Sequence, residues 1–482
     1  MLRNLFLFSF VAIVSMGCKK GPDKPITTPT IEFPTNPSTP QYSNVFISTD
    51  KAAYSPGEDV TFTIAQLPSS ARVRYKYLDA VVSEETLTGS TWKWKAPATD
   101  FRGYTAEVFA KGNGTEILYA TIGVDVSSRW TKFPRYGFLS KFGPMSDAEI
   151  NAVITNLSRY HINGLQFYDW HNKHHRPLPV NGTSPASTWK DIFNRTIYFN
   201  TVQKYISAAH NRNMKAMFYN LIYGAWNDAE ADGVSREWIV FNDPTHTNRD
   251  FHPLPSPPFL SNIYIMDPSN TSWQQYLLAE NRKVYNAFSF DGFHMDQLGD
   301  RGTPFTYDGT ALNLASTFRS FVDAMKADAP QKDVVLNAVA QYGQQGIALS
   351  SADFLYTEVW NPFESYNDLA NLLKQNNVLS NHTKNTVLAA YVNYDMAKSK
   401  GFFNTPSVLM TNAVIFAFGG AHLELGEHML GSEYFPSDNL RMRDDLQTAM
   451  VNYYDFLVAY QNLLRDGGTF NSVSVASADN SL

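Results

Sequence analysis

The sequence predicts a multidomain protein in which an immunoglobulin-like β-sandwich over residues 43–128 precedes a (β/α)8 TIM barrel over residues 129–470. Two patterns predict this organisation. Short segments of alternating apolar and polar residues fill the first region, as expected for antiparallel strands with one buried face. After Trp130 the pattern changes to a repeated strand, loop and helix, which is typical of a parallel sheet covered by helices.

The residues that precede the first domain have the features of an exported lipoprotein. Residues 1–18 combine a positively charged start with an apolar run that is too short to span a bilayer, and they end in Ser-Met-Gly-Cys. This ending resembles a bacterial lipoprotein cleavage site, with Cys18 as the acylated residue. Residues 19–42 are rich in Pro and Thr and predict a disordered tether. We therefore expect an exported protein, lipid-anchored to the bacterial membrane on its periplasmic or outer surface.

The composition narrows the range of partners. With a formal net charge of −6 and only 17% charged residues, the chain is a poor candidate for binding nucleic acid or an anionic membrane surface. Aromatic residues make up 14% of the chain, and aromatic faces serve as platforms for sugars, although core packing must account for most of them. Cys18 is the only cysteine, so no disulfides are expected. We expect a monomer that contacts the membrane only through its anchor.

Within the first domain, several segments alternate at period two, and Ser55-Pro-Gly and Lys111-Gly-Asn-Gly mark turns between them. About seven strands in some 85 residues fit a β-sandwich. Trp92 and Trp94 favour either a carbohydrate-binding surface or ordinary burial at alternate positions. The clearest predicted strands are Val45–Ser48, Val60–Ile64, Ala71–Tyr77, Trp92–Lys95 and Tyr104–Ala110.

The second domain divides into eight strand–helix units, and no Gly-rich phosphate loop follows its first strand, which disfavours an open nucleotide-binding sheet. Residues 471–482 form a polar tail. The predicted strands are Arg135–Ser140, His161–Trp170, Met214–Asn220, Phe290–Asp296, Asp333–Asn337, Asp353–Glu358, Thr386–Asn393 and Ala413–His422. The predicted helices include Ser146–Tyr160, Thr201–Arg212, Trp273–Phe288, Leu312–Ala329, Ser365–Gln375 and Arg441–Leu464.

Polar and aromatic residues gather at the C-terminal ends of these predicted strands. In a barrel of parallel strands, those ends meet at one mouth, where active sites are built. A single polar residue at a strand end can equally be a helix cap, and Asp296 could also pair with Arg301. The residues that we expect to contact a substrate are Tyr168, Asp169, His174, Asn220, His294, Trp360, Asn393 and Glu424.

A catalytic metal is the first chemical alternative for this mouth. The segment after the second strand offers Asp169, His171, His174 and His175 as ligands. Lys173 and Arg176 lie among these histidines and disfavour a bound cation, and the ligand spacing of metallohydrolase barrels is absent. We therefore expect no metal and no cofactor, and we expect these side chains to bind sugar hydroxyl groups.

Two carboxylates on opposite strands suit glycoside hydrolysis. Such a reaction needs one carboxyl group to attack or to activate water and another to protonate the leaving oxygen. Asp296 and Glu358 end the fourth and sixth predicted strands and can face each other across the barrel mouth. Glu358 lies in apolar surroundings that favour a raised pKa and the acid/base role, which leaves Asp296 as nucleophile. Rival carboxylates are Asp300, Glu364 and Glu424.

Three motifs resemble glycoside hydrolase family 66, which comprises endo-dextranases and cycloisomaltooligosaccharide glucanotransferases. They begin at Phe167, Phe290 and His422 and read FYDWHNKHHRPL, FDGFHMDQLGD and HLELGE. The resemblance runs from about residue 44 to residue 465. It implies a retaining double displacement on α-1,6-linked glucose polymers such as dextran and on isomalto-oligosaccharides. It also implies that Asp296 is the nucleophile and Glu358 the general acid/base.

The resemblance leaves three functional alternatives. The predicted barrel contains no large inserted module of the kind that marks many cyclising transferases, so we expect an endo-dextranase rather than a glucanotransferase. The family usually carries a further β-domain after the barrel, which the residues up to Leu482 do not supply. A non-catalytic glucan-binding lipoprotein and a hydrolase of another polysaccharide remain the other hypotheses.

Overall fold

The computed structural model describes residues 46–112 and 115–468. The predicted leader 1–18 with Cys18, the tether 19–42 and the tail 471–482 lie outside the described residues. Within the described ranges, no helix is long and apolar enough to cross a bilayer.

The first described region consists of two antiparallel sheets. One has the strand order β1-β2-β5 and the other the order β4-β3-β6-β7, and a shared apolar core lies between their inner faces. The strands are β1 (Ile47–Thr49), β2 (Asp59–Ile64), β3 (Arg72–Tyr77), β4 (Ala80–Thr86), β5 (Thr91–Lys95), β6 (Arg102–Gly112) and β7 (Thr115–Val126).

Two tryptophans on β5 belong to this core. The ring of Trp92 stacks on Phe62 at 5.2 Å and that of Trp94 stacks on Tyr75 at 4.5 Å between centroids. The indole nitrogen of Trp92 also donates to the hydroxyl of Tyr75 at 2.8 Å. Because both rings lie on the inner face of the sheet, burial accounts for them and they do not form an exposed sugar-binding surface.

Eight parallel strands follow in the described part of the chain, and each lies beside the next one in sequence. β8–β12 form one continuous sheet and β13–β15 another, and a bridge between Asn337 and Tyr356 joins the two sheets. The amide of Phe138 donates to the carbonyl of Leu425 at 3.0 Å, which links β8 to the segment after β15. The strands are β8 (Tyr136–Leu139), β9 (Gly164–Phe167), β10 (Lys215–Leu221), β11 (Gly292–Asp296), β12 (Asp333–Leu336), β13 (Leu355–Glu358), β14 (Thr386–Ala389) and β15 (Ala421–His422).

Helices separate these strands, and local sequence sets where several of them begin. Ser146 and Ser365 each form a capping box with the residue three positions later. Short hairpins and bridges fill the longer connections, for example Val180–Asn181 with Ser184–Pro185 and Phe251–His252 with Ile263–Ile265. The helices are α1 (Asp147–Arg159), α2 (Phe199–Asn211), α3 (Thr271–Ala287), α4 (Leu314–Asp328), α5 (Gln344–Ala348), α6 (Tyr366–Leu379), α7 (Thr405–Ala417), α8 (Asp444–Ala459) and α9 (Gln461–Arg465).

The prediction of a long eighth strand over Ala413–His422 is wrong. Residues up to Ala417 belong to α7, which Asn404 caps by accepting from the amide of Ser407, and β15 comprises only Ala421 and His422. The run is almost wholly apolar, so it shows no period of two, and its buried positions recur every three or four residues as in a helix.

The sandwich packs directly against α8, and the contact depends on two glycines. A Cβ atom on Gly103 would lie 1.9 Å from the carbonyl oxygen of Val458, and one on Gly123 would lie 2.7 Å from that of Asp455. The carboxylate of Asp455 also accepts from the amide of Gly123 at 3.0 Å. The described residues therefore form one compact unit in which the sheet and the helix are in backbone contact.

Candidate active site

The C-terminal ends of the parallel strands open into a cavity of about 570 Å³. Strands β9, β10, β11 and β13 contribute side chains directly, and the residues just after β9, β12 and β14 contribute further ones. This is the end of a parallel sheet at which catalytic groups converge. The lining includes Tyr168, Asp169, His174, Tyr219, His294, Asp296, Asn337, Tyr356, Glu358, Trp360 and Tyr391.

Asn337 holds the two expected catalytic carboxylates together. Its Nδ2 donates to Asp296 Oδ1 at 2.8 Å and to Glu358 Oε2 at 3.0 Å. Its Oδ1 accepts from the backbone amide of Glu358 at 3.1 Å, which fixes the orientation of the amide because a backbone N–H can only donate. Since both carboxylate oxygens lie within 3.0 Å of one nitrogen, they are separated by less than twice that distance.

Asp296 is surrounded by neutral donors. Tyr219 donates its hydroxyl to Oδ2, and Asn337 and the amide of Gln297 donate to Oδ1, each at 2.8 Å. Burial raises the pKa of Asp296 above its usual range, while these three hydrogen bonds oppose the rise by stabilising the carboxylate. The result is an oriented carboxylate with no fixed cation to neutralise it among its described partners.

Glu358 has the surroundings of a proton donor. Tyr391 donates its hydroxyl to Oε1, and Asn337 donates to Oε2. Burial, and next the negative charge of Asp296, raise the pKa of Glu358 to about 7, although hydrogen bonds from Tyr391 and Asn337 reduce the shift. Glu358 therefore retains its proton in a large fraction of molecules near neutral pH, as a proton donor requires.

Of the other expected contacts, Tyr168, Asp169, His174, His294 and Trp360 line the cavity. Asp169 has a left-handed backbone with φ of 47°, an uncommon conformation for a residue with a Cβ, and burial raises its pKa to about 7. The strained backbone carries this third carboxyl group to the cavity directly after β9.

Of the three histidines that line the cavity, His174 and His294 are neutral hydrogen-bonding groups. Burial lowers the pKa of His294 to about 3 and lowers that of His174 well below its usual value. The Nδ1 atom of His174 accepts from the indole N–H of Trp226 at 3.1 Å, so the proton of this ring is on Nε2. His174 can thus donate to an oxygen atom in the cavity.

Three of the expected contacts are used elsewhere. Asn220 is fully buried and hydrogen bonds to the backbone of His174 and Leu221. Glu424 is buried between helices, where its carboxylate accepts from Asn412 and Tyr454. Asn393 lies outside this cavity, and its side chain holds the start of α7 through Asn404 and Ser407. These three polar side chains lie near strand ends, but they form hydrogen bonds with other residues of the protein.

Other residues fill the two alternative roles that were considered for Asp296. Arg301 pairs with Asp250 rather than with Asp296, and Asn313 caps the helix that follows β11. Of the rival carboxylates, Asp300 is exposed and accepts from the amide of Gly302. Glu364 is exposed as well and does not line the cavity.

A compact group of possible metal ligands exists in the described part of the chain, formed by His175, Asp228 and Asp232. His175 accepts from the amide of Trp226 through Nδ1, so its Nε2 carries the proton that points to Asp232 at 3.0 Å. Lys173 pairs with both aspartates, and Arg176 also binds Asp232. The group is thus neutralised by the chain's own cations, and it does not line the catalytic cavity.

Several lining residues were not among the expected contacts. Asn337 ends the fifth predicted strand and Tyr219 lies one residue before the end of the third, so their positions indicated the barrel mouth. Tyr391 lies within the seventh predicted strand, where its position gave no such indication. Phe435 comes from the loop after β15 and stacks on Tyr168 at 4.1 Å between centroids. No sequence pattern predicts that a distant loop supplies this ring.

Two buried carboxyl groups that share one amide donor within an aromatic cavity are the arrangement of a glycosidase. Comparison with known proteins supports this class. The profile of glycosyl hydrolase family 66 matches residues 49–482. The chain belongs to glycosyl hydrolase family 66.

The relatives found by sequence comparison are named either cycloisomaltooligosaccharide glucanotransferase or dextranase. A cycloisomaltooligosaccharide glucanotransferase of Niallia circulans is 36% identical over an alignment of 398 residues that covers 76% of this chain and 40% of that protein. A dextranase of Streptococcus salivarius is 24% identical over 469 residues, covering 86% of this chain and 55% of that protein. The chain spans about half the length of the sequence relatives that it matches.

One solved structure is similar over most of the chain. It is a cycloisomaltooligosaccharide glucanotransferase of Paenibacillus sp., complexed with cycloisomaltoheptaose. The TM-score is 0.80 at 27% identity, with 88% of this chain and 82% of that chain covered. The architecture described above is therefore shared with a solved enzyme of that name.

Proposed function

We propose that the protein is a retaining endo-hydrolase of α-1,6-glucosidic linkages in dextran, with Asp296 as nucleophile and Glu358 as general acid/base. The observation that carries this proposal is the single amide of Asn337, which donates to both carboxylates. Retaining glycosidases hold their carboxyl groups about 5–5.5 Å apart, whereas inverting enzymes leave about 6.5–9.5 Å for a water molecule. Two oxygens that share one donor nitrogen suit the shorter separation.

The proposed reaction gives each carboxyl group a different role. Asp296 Oδ attacks the anomeric carbon while Glu358 protonates the departing glycosidic oxygen, which gives a covalent glycosyl-enzyme. Glu358, now ionised, then takes a proton from water as this water attacks the same carbon and releases Asp296. The hydrogen bonds from Tyr219, Asn337 and Gln297 orient the nucleophile for the first step.

The finer description of the fold is also part of the proposal. The order β8 to β15 and the hydrogen bond from Phe138 to Leu425 support a closed (β/α)8 barrel. The two antiparallel sheets of residues 47–126 support an immunoglobulin-like sandwich. The segment ending at Cys18 supports export and a lipid anchor.

Incubation of the purified protein with dextran tests the proposed activity. Products are followed by size and by the anomeric form in which they first appear, using chromatography and proton NMR. Linear isomalto-oligosaccharides that appear first as α-anomers are the expected result. Products that first appear as β-anomers, or activity on another glucan but none on dextran, would contradict it.

A second candidate is a glucanotransferase that forms cyclic isomalto-oligosaccharides. The 36% identity with a cycloisomaltooligosaccharide glucanotransferase favours it. Both reactions pass through the same glycosyl-enzyme and differ only in whether water or a sugar hydroxyl takes the glycosyl group. Cyclic products in the dextran digest would identify the transferase.

A further inference from the structure

The motif HLELGE, which begins at His422, supplies no side chain to the catalytic cavity. The side chains of His422 and Glu424 are buried, and both hydrogen bond to Asn412 of α7. Glu427 ends the motif and has different partners. Its carboxylate lies where the segment after β15 meets the segment after β8.

Glu427 binds the backbone of the segment after β8. Its Oε1 accepts from the amide of Ser140 at 2.7 Å and from that of Lys141 at 2.9 Å, and its Oε2 accepts from the hydroxyl of Ser140 at 3.3 Å. Bonds from amides to a carboxylate are stronger than bonds between neutral groups. The preceding glycine permits this close approach, because a Cβ atom on Gly426 would lie 2.5 Å from the carbonyl oxygen of Phe138.

The loop that begins at Glu427 is attached at its other end to the same segment. We call residues 427–438 the cavity loop. Asp438 pairs with the ammonium group of Lys141 at 2.7 Å, so Lys141 contacts one end of the loop through its side chain and the other through its backbone amide. Both partners of this ion pair are exposed, and an exposed pair contributes little. Glu427 is therefore the stronger of the two attachments.

The middle of the cavity loop forms part of the wall of the catalytic cavity. Three consecutive loop residues line it, namely Glu433, Tyr434 and Phe435. The ring of Phe435 stacks on Tyr168, and Tyr168 lies 4.9 Å from Tyr219 between ring centroids. The hydroxyl of Tyr219 donates to Asp296. A row of three rings thus runs from the cavity loop to the proposed nucleophile.

Glu427 does not line the cavity, so any effect on the reaction passes through the loop. We propose that Glu427 is a positioning residue that fastens the cavity loop to the segment after β8 and thereby keeps Phe435 stacked on Tyr168. This inference rests on the proposed function, because it gives the loop a part in the same site. With the loop fastened, the row of rings supports Tyr219 in the orientation that donates to Asp296.

Glu427→Ala tests the assignment because it removes both oxygen acceptors. Glu427→Gln keeps the Oε1 atom that accepts from both amides, and its new amide group can donate to the hydroxyl of Ser140, so it should preserve the attachment. Lys141→Met is the matched control, since it removes only the exposed ion pair and leaves the backbone amide in place. Glu427→Asp, which withdraws the carboxylate by one methylene group, replaces Glu427→Ala if the latter does not fold.

Hydrogen exchange followed by mass spectrometry measures the attachment directly and needs no substrate. In Glu427→Ala, amides of the cavity loop should exchange at least about tenfold faster than in the native protein, whereas those of α8 should be unchanged. In Glu427→Gln and Lys141→Met, loop exchange should stay within about threefold of the native rate. Unchanged loop exchange in Glu427→Ala, or faster exchange throughout the chain, would overturn the positioning role.

Hydrolysis of dextran tests whether the loop acts through Phe435, at a temperature where all variants are folded. Glu427→Ala should lower kcat/KM about tenfold, and Glu427→Gln should retain it within about twofold. Glu427→Ala combined with Phe435→Ala should lose little more than Phe435→Ala alone, because both changes remove the same contact. Combined with Leu298→Ala, which alters the cavity lining after β11, the two losses should multiply. Losses that also multiply with Phe435→Ala would overturn the assignment.

The two measurements separate this inference from the proposed function. A native protein without activity on dextran would contradict the proposed function, while faster loop exchange in Glu427→Ala would still support Glu427 as the attachment. Full activity of Glu427→Ala in an active enzyme would overturn the role of Glu427 in the reaction and leave the assignment of Asp296 and Glu358 in place.

Discussion

Carboxylates are buried both at the junction of the two domains and in the cavity, and their pKa values are shifted in opposite directions. At the junction of the sandwich and α8, Asp455 binds Arg159 and His161, and Asp125 binds Arg135 with both side chains fully buried. In the catalytic cavity, Asp296 and Glu358 receive hydrogen bonds only from neutral groups. Burial favours the neutral acid in both places, but cations outweigh it at Asp455, whose pKa is lowered.

The difference separates the carboxylates of the junction from the two that are proposed to be catalytic. A buried carboxylate that faces a guanidinium stays ionised and holds two parts of the fold together. A buried carboxyl group without a cation is costly to ionise, so its pKa rises, as it does to about 7 for Glu358. The carboxyl groups of the cavity therefore have no cation to compensate their charge, as the proposed catalysis requires, whereas ion pairs compensate the charges at the junction.

The largest expected effect is on catalysis. Asp296→Asn keeps the shape of the side chain but removes the nucleophile, so kcat on dextran should fall by at least about a thousandfold. Circular dichroism and the melting temperature should stay close to those of the native protein. The matched control is Asp300→Asn on the neighbouring exposed loop, which should retain activity. A fully active Asp296→Asn would contradict the assignment.

At the junction, the corresponding change should act on stability instead. Asp455→Asn leaves the buried Arg159 without its charged partner, and breaking a buried ion pair in this way costs about 3–5 kcal/mol. Urea denaturation measures this loss, and kcat at a temperature where the variant remains folded should be unchanged. Asp395→Asn is the control, because its exposed pair with Lys398 is worth less than about 1 kcal/mol. A similar loss of unfolding free energy in Asp455→Asn and Asp395→Asn would contradict a special role for the buried ion pair.

A smaller effect concerns the pH dependence of stability. The pKa of Glu358 rises from 4.5 to about 7 on folding, so its favourable contribution is complete below pH 4.5 and is lost as pH rises through about 7. Glu358→Gln removes this loss because glutamine does not ionise. We therefore expect the difference in melting temperature, Glu358→Gln minus native protein, to be more positive at pH 8 than at pH 5. A difference that does not change with pH would show that Glu358 titrates normally.

The sequence predicted the two proposed catalytic carboxylates more readily than the groups that hold them in place. Asp296 and Glu358 end strands whose direction is set by apolar runs, so position along the chain predicts that they share a mouth. The amide that joins them, Asn337, has many possible roles, and only its three hydrogen bonds reveal which one it has.

Two other features could not be predicted from the sequence, for different reasons. The apolar run at Ala413 shows no clear period, so strand and helix could not be distinguished there. Phe435 reaches the cavity through the path of a long loop after β15, which no local propensity fixes. Periodic segments were thus predictable, and the contacts made by irregular ones were not.

We propose that Asp296 is the nucleophile and Glu358 the acid/base of a retaining reaction. Azide rescue of Asp296→Ala and Glu358→Ala tests both roles at once, with α-isomaltosyl fluoride as donor because fluoride leaves without protonation. In Glu358→Ala, azide attacks the glycosyl-enzyme and should give α-isomaltosyl azide. In Asp296→Ala, azide replaces the missing nucleophile and should give β-isomaltosyl azide. Exchanged configurations, or the same configuration from both variants, would contradict the assignment.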